Sequence, residues 1–242
     1  MMKLMKLTTL VFLLINSFIG FSQFTTGALK MEVKGIKMNG EDAPPEMASV
    51  LGAMDISIFS NGTIQKSVIN MMMMKTTNIV DLKADSIFMY LDIMGKMYKI
   101  AQPRSATLAN ADTSNPVQII EHPEDTREIL GFKCHRYDIK MSIPSSNSKE
   151  TDVQEMNLKL YVTNELNFDP SFVTQSNHKL KIKGTPLAYN MVMGGGAFQM
   201  ELLMEAKSFD KEINPKDMLP PEGVYKNYTM EEFQKEMSNR SR

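Results

Sequence analysis

Apolar and polar residues alternate with a period of two along most of this chain, and that alternation limits its fold more than any other feature. Leu29, Met31 and Val33 fall on one face while Lys30, Glu32 and Lys34 fall on the other. Met54, Ile56 and Ile58 alternate with Asp55 and Ser57, and Asn61-Gly62 then signals a tight hairpin into residues 64–69. Ile87, Met89, Leu91 and Ile93 point one way before Gly95 breaks the run. Further strands are expected at 77–82, 96–101, 117–121, 132–141, 158–166, 179–183 and 198–208. In the last, Phe198, Met200, Leu202, Met204 and Ala206 are in phase. The fold class is therefore mainly β, a curved and mostly antiparallel sheet with one apolar face.

Helical signal is sparse. Asp42-Ala43-Pro44-Pro45 reads as a helix start and Gly52 as its stop, with Met47, Val50 and Leu51 on one side. Thr229 and Glu232 form a capping box for a C-terminal helix at about 229–239, with Met230, Phe233 and Met237 as its apolar stripe. Pro220-Pro221 ahead of it is a stiff connector. The polar stretches 102–115 and 142–157 read as mobile loops.

Residues 1–22 read as an export signal: Lys3 and Lys6 precede a short apolar run, and Gly20 and Ser22 are small residues before Gln23. Asn16 and Ser17 interrupt the run short of the ~20 apolar residues that a spanning helix needs. Cleavage is expected between Ser22 and Gln23, leaving one domain at 23–242 with no integral membrane span.

Composition removes several classes of function. A net charge of −1 offers no basic excess for a nucleic-acid partner. One cysteine precludes an internal disulfide or a cysteine-built zinc site, and three histidines leave little for metal or triad chemistry. Cys134 and His135 are adjacent, so on a strand they point apart and cannot act as nucleophile and base. His122 and His178 read as surface residues. Glu121, Glu124 and Asp125, and Asp152 with Glu155, read as solvated loop carboxylates without a basic or aromatic frame. Gly194-Gly195-Gly196 lacks the context of a phosphate loop and reads as a hairpin connection. Lys179, Lys181 and Lys183 read as a solvated or edge-protecting strand face. No catalytic residue, metal ligand or cofactor is expected, and the protein reads as a non-enzyme.

The apolar strand face must be buried by a second layer, by closure of the sheet, or by a ligand. Pattern alone favours a packed core. The alternative is a half-closed barrel whose concave side forms an apolar pocket. Residues 129–134, Ile-Leu-Gly-Phe-Lys-Cys, with Arg136-Tyr137, resemble the strand entry of an uncharacterised exported bacterial family, a domain of unknown function grouped with the LolA-like lipoprotein carriers. The helix at 46–54 leading into 55–62, the hairpin at 81–100, Tyr161-Val162-Thr163-Asn164-Glu165-Leu166 and Lys183-Gly184-Thr185-Pro186-Leu187 match in the same order. The resemblance spans about residues 27–228. It implies a LolA-like half-barrel capped by helices in a Gram-negative periplasm or cell envelope, and it brings no catalytic residues.

The leading expectation is a binder of an acyl chain, a lipid or a lipidated protein on the concave face. Met89, Leu91, Ile93, Leu160, Met200, Leu202 and Met204 would line it, under a lid of Met47, Val50 and Leu51. A structural module that meets another envelope protein is the second reading. The third is copper(I) binding by methionines: the chain holds 23, four of them consecutive at 71–74, and soft thioethers select that ion. Methionine also fills irregular apolar cavities.

Overall fold

A computed structural model describes residues 24–105, 117–144, 153–168, 182–195 and 198–240. The expected export signal, His178 and most of the expected strand at 179–183 lie outside them. Alternation becomes one open sheet of thirteen strands. β1 (Thr26–Met38) is its seam. On one side a meander runs outward through β3 (Asp55–Asn61), β4 (Ile64–Met71), β5 (Met74–Asp81), β6 (Ser86–Ile93) and β7 (Lys96–Pro103). On the other, β8 (Gln118–Ile129) is the far edge. From it β9 (Phe132–Pro144), β10 (Val153–Thr163), β11 (Thr185–Gly195) and β12 (Phe198–Asp210) return to pair with β1. All these neighbours are antiparallel. The short β2 (Glu41–Asp42) folds back on β1, and β13 (Lys226–Tyr228) adds to β7 in parallel.

Two helices accompany the sheet. α1 (Pro45–Gly52) starts at a proline whose missing N–H costs nothing there. α2 (Met230–Arg240) carries the expected capping box: Glu232 N–H donates to Thr229 Oγ1 at 3.2 Å, and Thr229 N–H donates to Glu232 Oε2 at 2.7 Å. No helix among the described residues is long and apolar enough to cross a membrane.

The described parts of the stretch read as a loop, 142–144 and 153–157, are strand. β9 runs to Pro144 and β10 starts at Val153, with Glu155 opposite Ser142 and Gln154 opposite Ile143. Backbone pairing carries these polar residues, which give no alternation of their own. Asn61-Gly62 does turn the chain, but through a longer loop than a two-residue hairpin. Ser60 pairs with Gln65, and Asn61 Oδ1 accepts the N–H groups of Thr63 and Ile64 at 3.0 and 2.8 Å.

The apolar face is continuous only on the β8–β12 side. Opposed residues Tyr137, Leu160, Tyr189 and Met204 make one buried row, and Ile139, Leu158, the half-buried Met191 and Leu202 make the next. Leu166, Phe168 and Ile182 complete this core, and Leu51 of α1 packs against it. On the β3–β7 side the corresponding rows are mixed. Ile58, Ser67, Asn78, Met89, Ile100 and Tyr228 follow one another across the strands, next to a row of Ile56, Ile69, Thr76, Leu91 and Tyr98. Gln65, Ser67 and Thr76 are buried there, and Asn78 Oδ1 and Tyr228 Oη are buried with no hydrogen-bond partner. A smaller core of Leu91, Tyr98 and Ile100 lies beyond, covered by Met230 and Phe233 of α2.

Candidate ligand cleft

Strand geometry places Lys66 and Val68 of β4, Lys75 and Thr77 of β5, Tyr90 and Asp92 of β6 and Met97 of β7 on the face opposite Leu91 and Tyr98. A segment at 211–225 crosses this reverse face on its way from β12 to β13. Asn214 caps a short 3-10 turn, Pro215–Met218, by accepting the Lys216 N–H at 3.0 Å. Pro220 and Pro221 then hold the chain extended and have no N–H to satisfy. Lys66 donates from Nζ to the Leu219 carbonyl at 2.7 Å, and Tyr225 meets Tyr90 edge to face with ring centroids 5.2 Å apart. Gly223 lets the segment close on β7. With φ at +140°, it leaves a space where a Cβ would stand 2.7 Å from Met97 Sδ.

Strand and crossing segment enclose a cleft of about 580 Å³. Val68, Met97, Leu219, Pro220, Pro221 and the two tyrosine rings supply apolar wall, and Lys66, Lys75, Lys216, Asp92 and Glu222 supply charge. Lys66 is the unusual member. It is buried, with no carboxylate within ion-pair distance among the described residues, and burial holds its pKa below the ordinary value against the opposing pull of Asp217. An ammonium has three donors, and one of them is used on Leu219. Two N–H groups remain for an anion inside a wall of mixed apolar and charged residues.

The expected lining residues lie elsewhere. Leu160, Leu202 and Met204 are packed in the large core; Met204 Sδ accepts the buried Tyr189 hydroxyl at 2.6 Å. Met200 is half-buried opposite Met193. Met89, Leu91 and Ile93 belong to the small core beneath α2, on the other face of the sheet from the cleft. In the expected lid, Leu51 packs on the large core, Met47 is half-buried and Val50 is exposed. Neither this cleft nor a shallower one of about 210 Å³ on β9–β11 touches any of these ten residues.

Cys134 is fully buried, and burial pushes its thiol up to about 12, with Glu165 adding to the effect. Asp125, expected to lack any frame, has one. Arg136 pairs with it and with Asp138, whose carboxylate lies 3.0 Å from His122 Nε2, and the Tyr161 hydroxyl points to Asp125 at 3.5 Å. A bulge in β8 between His122 and Thr126 swings Asp125 over the strand to reach Arg136. Among the described residues no three His, Cys, Asp or Glu side chains gather as a metal site. Comparison of the sequence with models of known protein families gives no match, and comparison with curated proteins gives none at a significant level.

Proposed function

We propose that the protein is a non-enzymatic binder of an amphiphile, an acyl chain or lipid with an anionic end, held in the reverse-face cleft. The observation that carries this reading is Lys66: a buried ammonium with spare donors in a cleft that also offers an apolar surface of Val68, Met97, Leu219 and two prolines. The tail would lie along Val68, Met97 and Leu219, where burial contributes ~25 cal/mol per Å². The anionic head would meet Lys66, with Lys75 and Lys216 adding attraction. The signal-like segment at 1–22 supports a place for this binder in the periplasm or cell envelope. The LolA-like motif set supports a curved half-barrel of the carrier type. A lipidated protein fits the same chemistry through its acyl chain.

The test is uptake of dansyl-labelled undecanoate, followed by fluorescence, in wild type and Lys66→Met. Loss of one charge-assisted hydrogen bond should weaken binding by about tenfold or more. Methionine keeps the stem's volume, so the fold should stand. Absence of uptake by wild type would overturn the reading.

A second site is favoured by the partnerless Asn78 Oδ1 and Tyr228 Oη, which share a row with Met89 on the inner face. There the ligand would lie against Met89, Leu91 and Ile93, as the strand pattern anticipates. Uptake sensitive to Asn78→Leu and indifferent to Lys66→Met would move the ligand to that face.

A further inference from the structure

Two neighbouring hairpin loops at one end of the β3–β7 meander carry thioethers where turn residues are usual. Met71 pairs with Met74 across β4 and β5, so Met72-Met73 is the whole connection. Ile93 pairs with Lys96 across β6 and β7, so Met94-Gly95 is the next one. The loops are tied together, because the Met94 N–H donates to the Met73 carbonyl at 3.1 Å. Met72, Met73 and Met94 are 59%, 62% and 72% exposed, and Met71 is exposed at the strand end beside them. Asn, Asp and Gly normally fill such positions. Leu130 occupies the matching slot of the β8–β9 turn at a φ of 53°, so an apolar residue is not what sets this end apart. Sulfur is.

We propose that Met72, Met73 and Met94, with the adjoining Met71, bind a soft monovalent cation, copper(I). A hydrogen bond between the loop backbones brings their Cα atoms close, and long unbranched side chains let the sulfurs converge on one ion without moving the strands. Thioethers are neutral and soft, and they select copper(I) over the hard ions that take carboxylate and carbonyl oxygen. Asp92, the nearest carboxylate in sequence to Met94, accepts the Gly95 N–H on Oδ1 at 2.9 Å and so serves the turn. Cys134 is buried in the other half of the sheet and contributes nothing to this site. No ligand has to lose a proton. The affinity therefore stays level from mildly acidic to neutral pH, unlike that of a thiolate or imidazole site.

The experiment titrates copper(I), without oxygen, into the full chain against the chromophoric chelator bicinchoninate. The wild type should withhold one ion per molecule. The triple substitution M72L, M73L and M94L keeps the apolar bulk and removes the sulfurs. It should weaken the competition by more than about 100-fold, beyond what loss of a supporting outer contact costs. Met94→Asn is the second variant: at a φ of 52° asparagine suits the turn better than methionine. It should hold or raise the thermal midpoint while lowering copper(I) affinity about tenfold. A wild type that leaves all copper with the chelator, or a triple-leucine variant that competes as well as wild type, overturns the proposal.

Discussion

β8–β12 and β3–β7 are both antiparallel meanders hung on β1, but they bury their surfaces differently. The first has unbroken apolar rows on one face, gathered into a single core with Leu166, Phe168 and Ile182. Its reverse face is free to be polar, and Arg136, Asp138 and Asp125 occupy it as an ion-pair group. The second has Gln65, Ser67, Thr76 and Asn78 where that core would continue. It recruits the C-terminal region on both sides, the crossing segment 211–225 on one face and α2 on the other. A sheet half that lacks a complete apolar face thus needs added chain to cover it. Where that added chain crosses the strands, it leaves the cleft of about 580 Å³.

That contrast can be broken by mutation. The largest effect is expected from Leu160→Ala in the first half, where the side chain is fully buried in the core. It should cost about 3 kcal/mol of global stability in urea unfolding. Cys134, buried with its thiol pushed up to about 12, should become alkylated only as fast as that core opens. Gly184→Ala comes next, at about 2 kcal/mol. With φ at +102° it faces the Thr163 carbonyl, 2.2 Å from where a Cβ would stand. Thr229→Ala, which removes the α2 cap, should cost about 1 kcal/mol. This loss should be local, with faster amide exchange in β7 and β13 and an unchanged rate of Cys134 alkylation. Equal acceleration at Cys134 would show that the two halves open as one unit.

The smallest effect is electrostatic. Glu32 on β1 is held at about 2 by Lys207 and Lys34, below its ordinary 4.5. A carboxylate with a depressed folded-state pKa adds stability above its unfolded value. That contribution is lost as pH falls from about 4.5 toward about 2. Lys207→Ala should move the Glu32 titration, followed by carboxyl NMR, part of the way back, because Lys34 still donates to it at 2.7 Å.

Where one face of a strand is apolar and the other charged, as in β1 and β12, the alternation was legible. So were both helix starts, because prolines and a capping box act within one turn of the chain. The ends of β9 and β10 were hidden, since backbone pairing there joins residues that show no apolar alternation in the sequence. The cleft was hidden for a different reason. Its two walls, 66–97 and 216–225, are more than a hundred residues apart, and each alone reads as solvated strand or loop. Lys66, on the side of β4 that faces the crossing segment, was the available signal, together with the stiff Pro220-Pro221 noted only as a connector. The paired methionine loops were half legible: 71–74 stands out as a run, but only the backbone bond from Met94 shows its partner.

β13 has a consequence for the molecule's history. It covers Tyr98–Ile100 on the outer rim of β7, and it is the last strand in chain order among the described residues. Until synthesis reaches it, or after a protease has trimmed it, that rim presents unpaired N–H and C=O groups that a second copy can match. Shortened chains ending before Lys226 should therefore self-associate through β7, which makes β13 a guard of that rim.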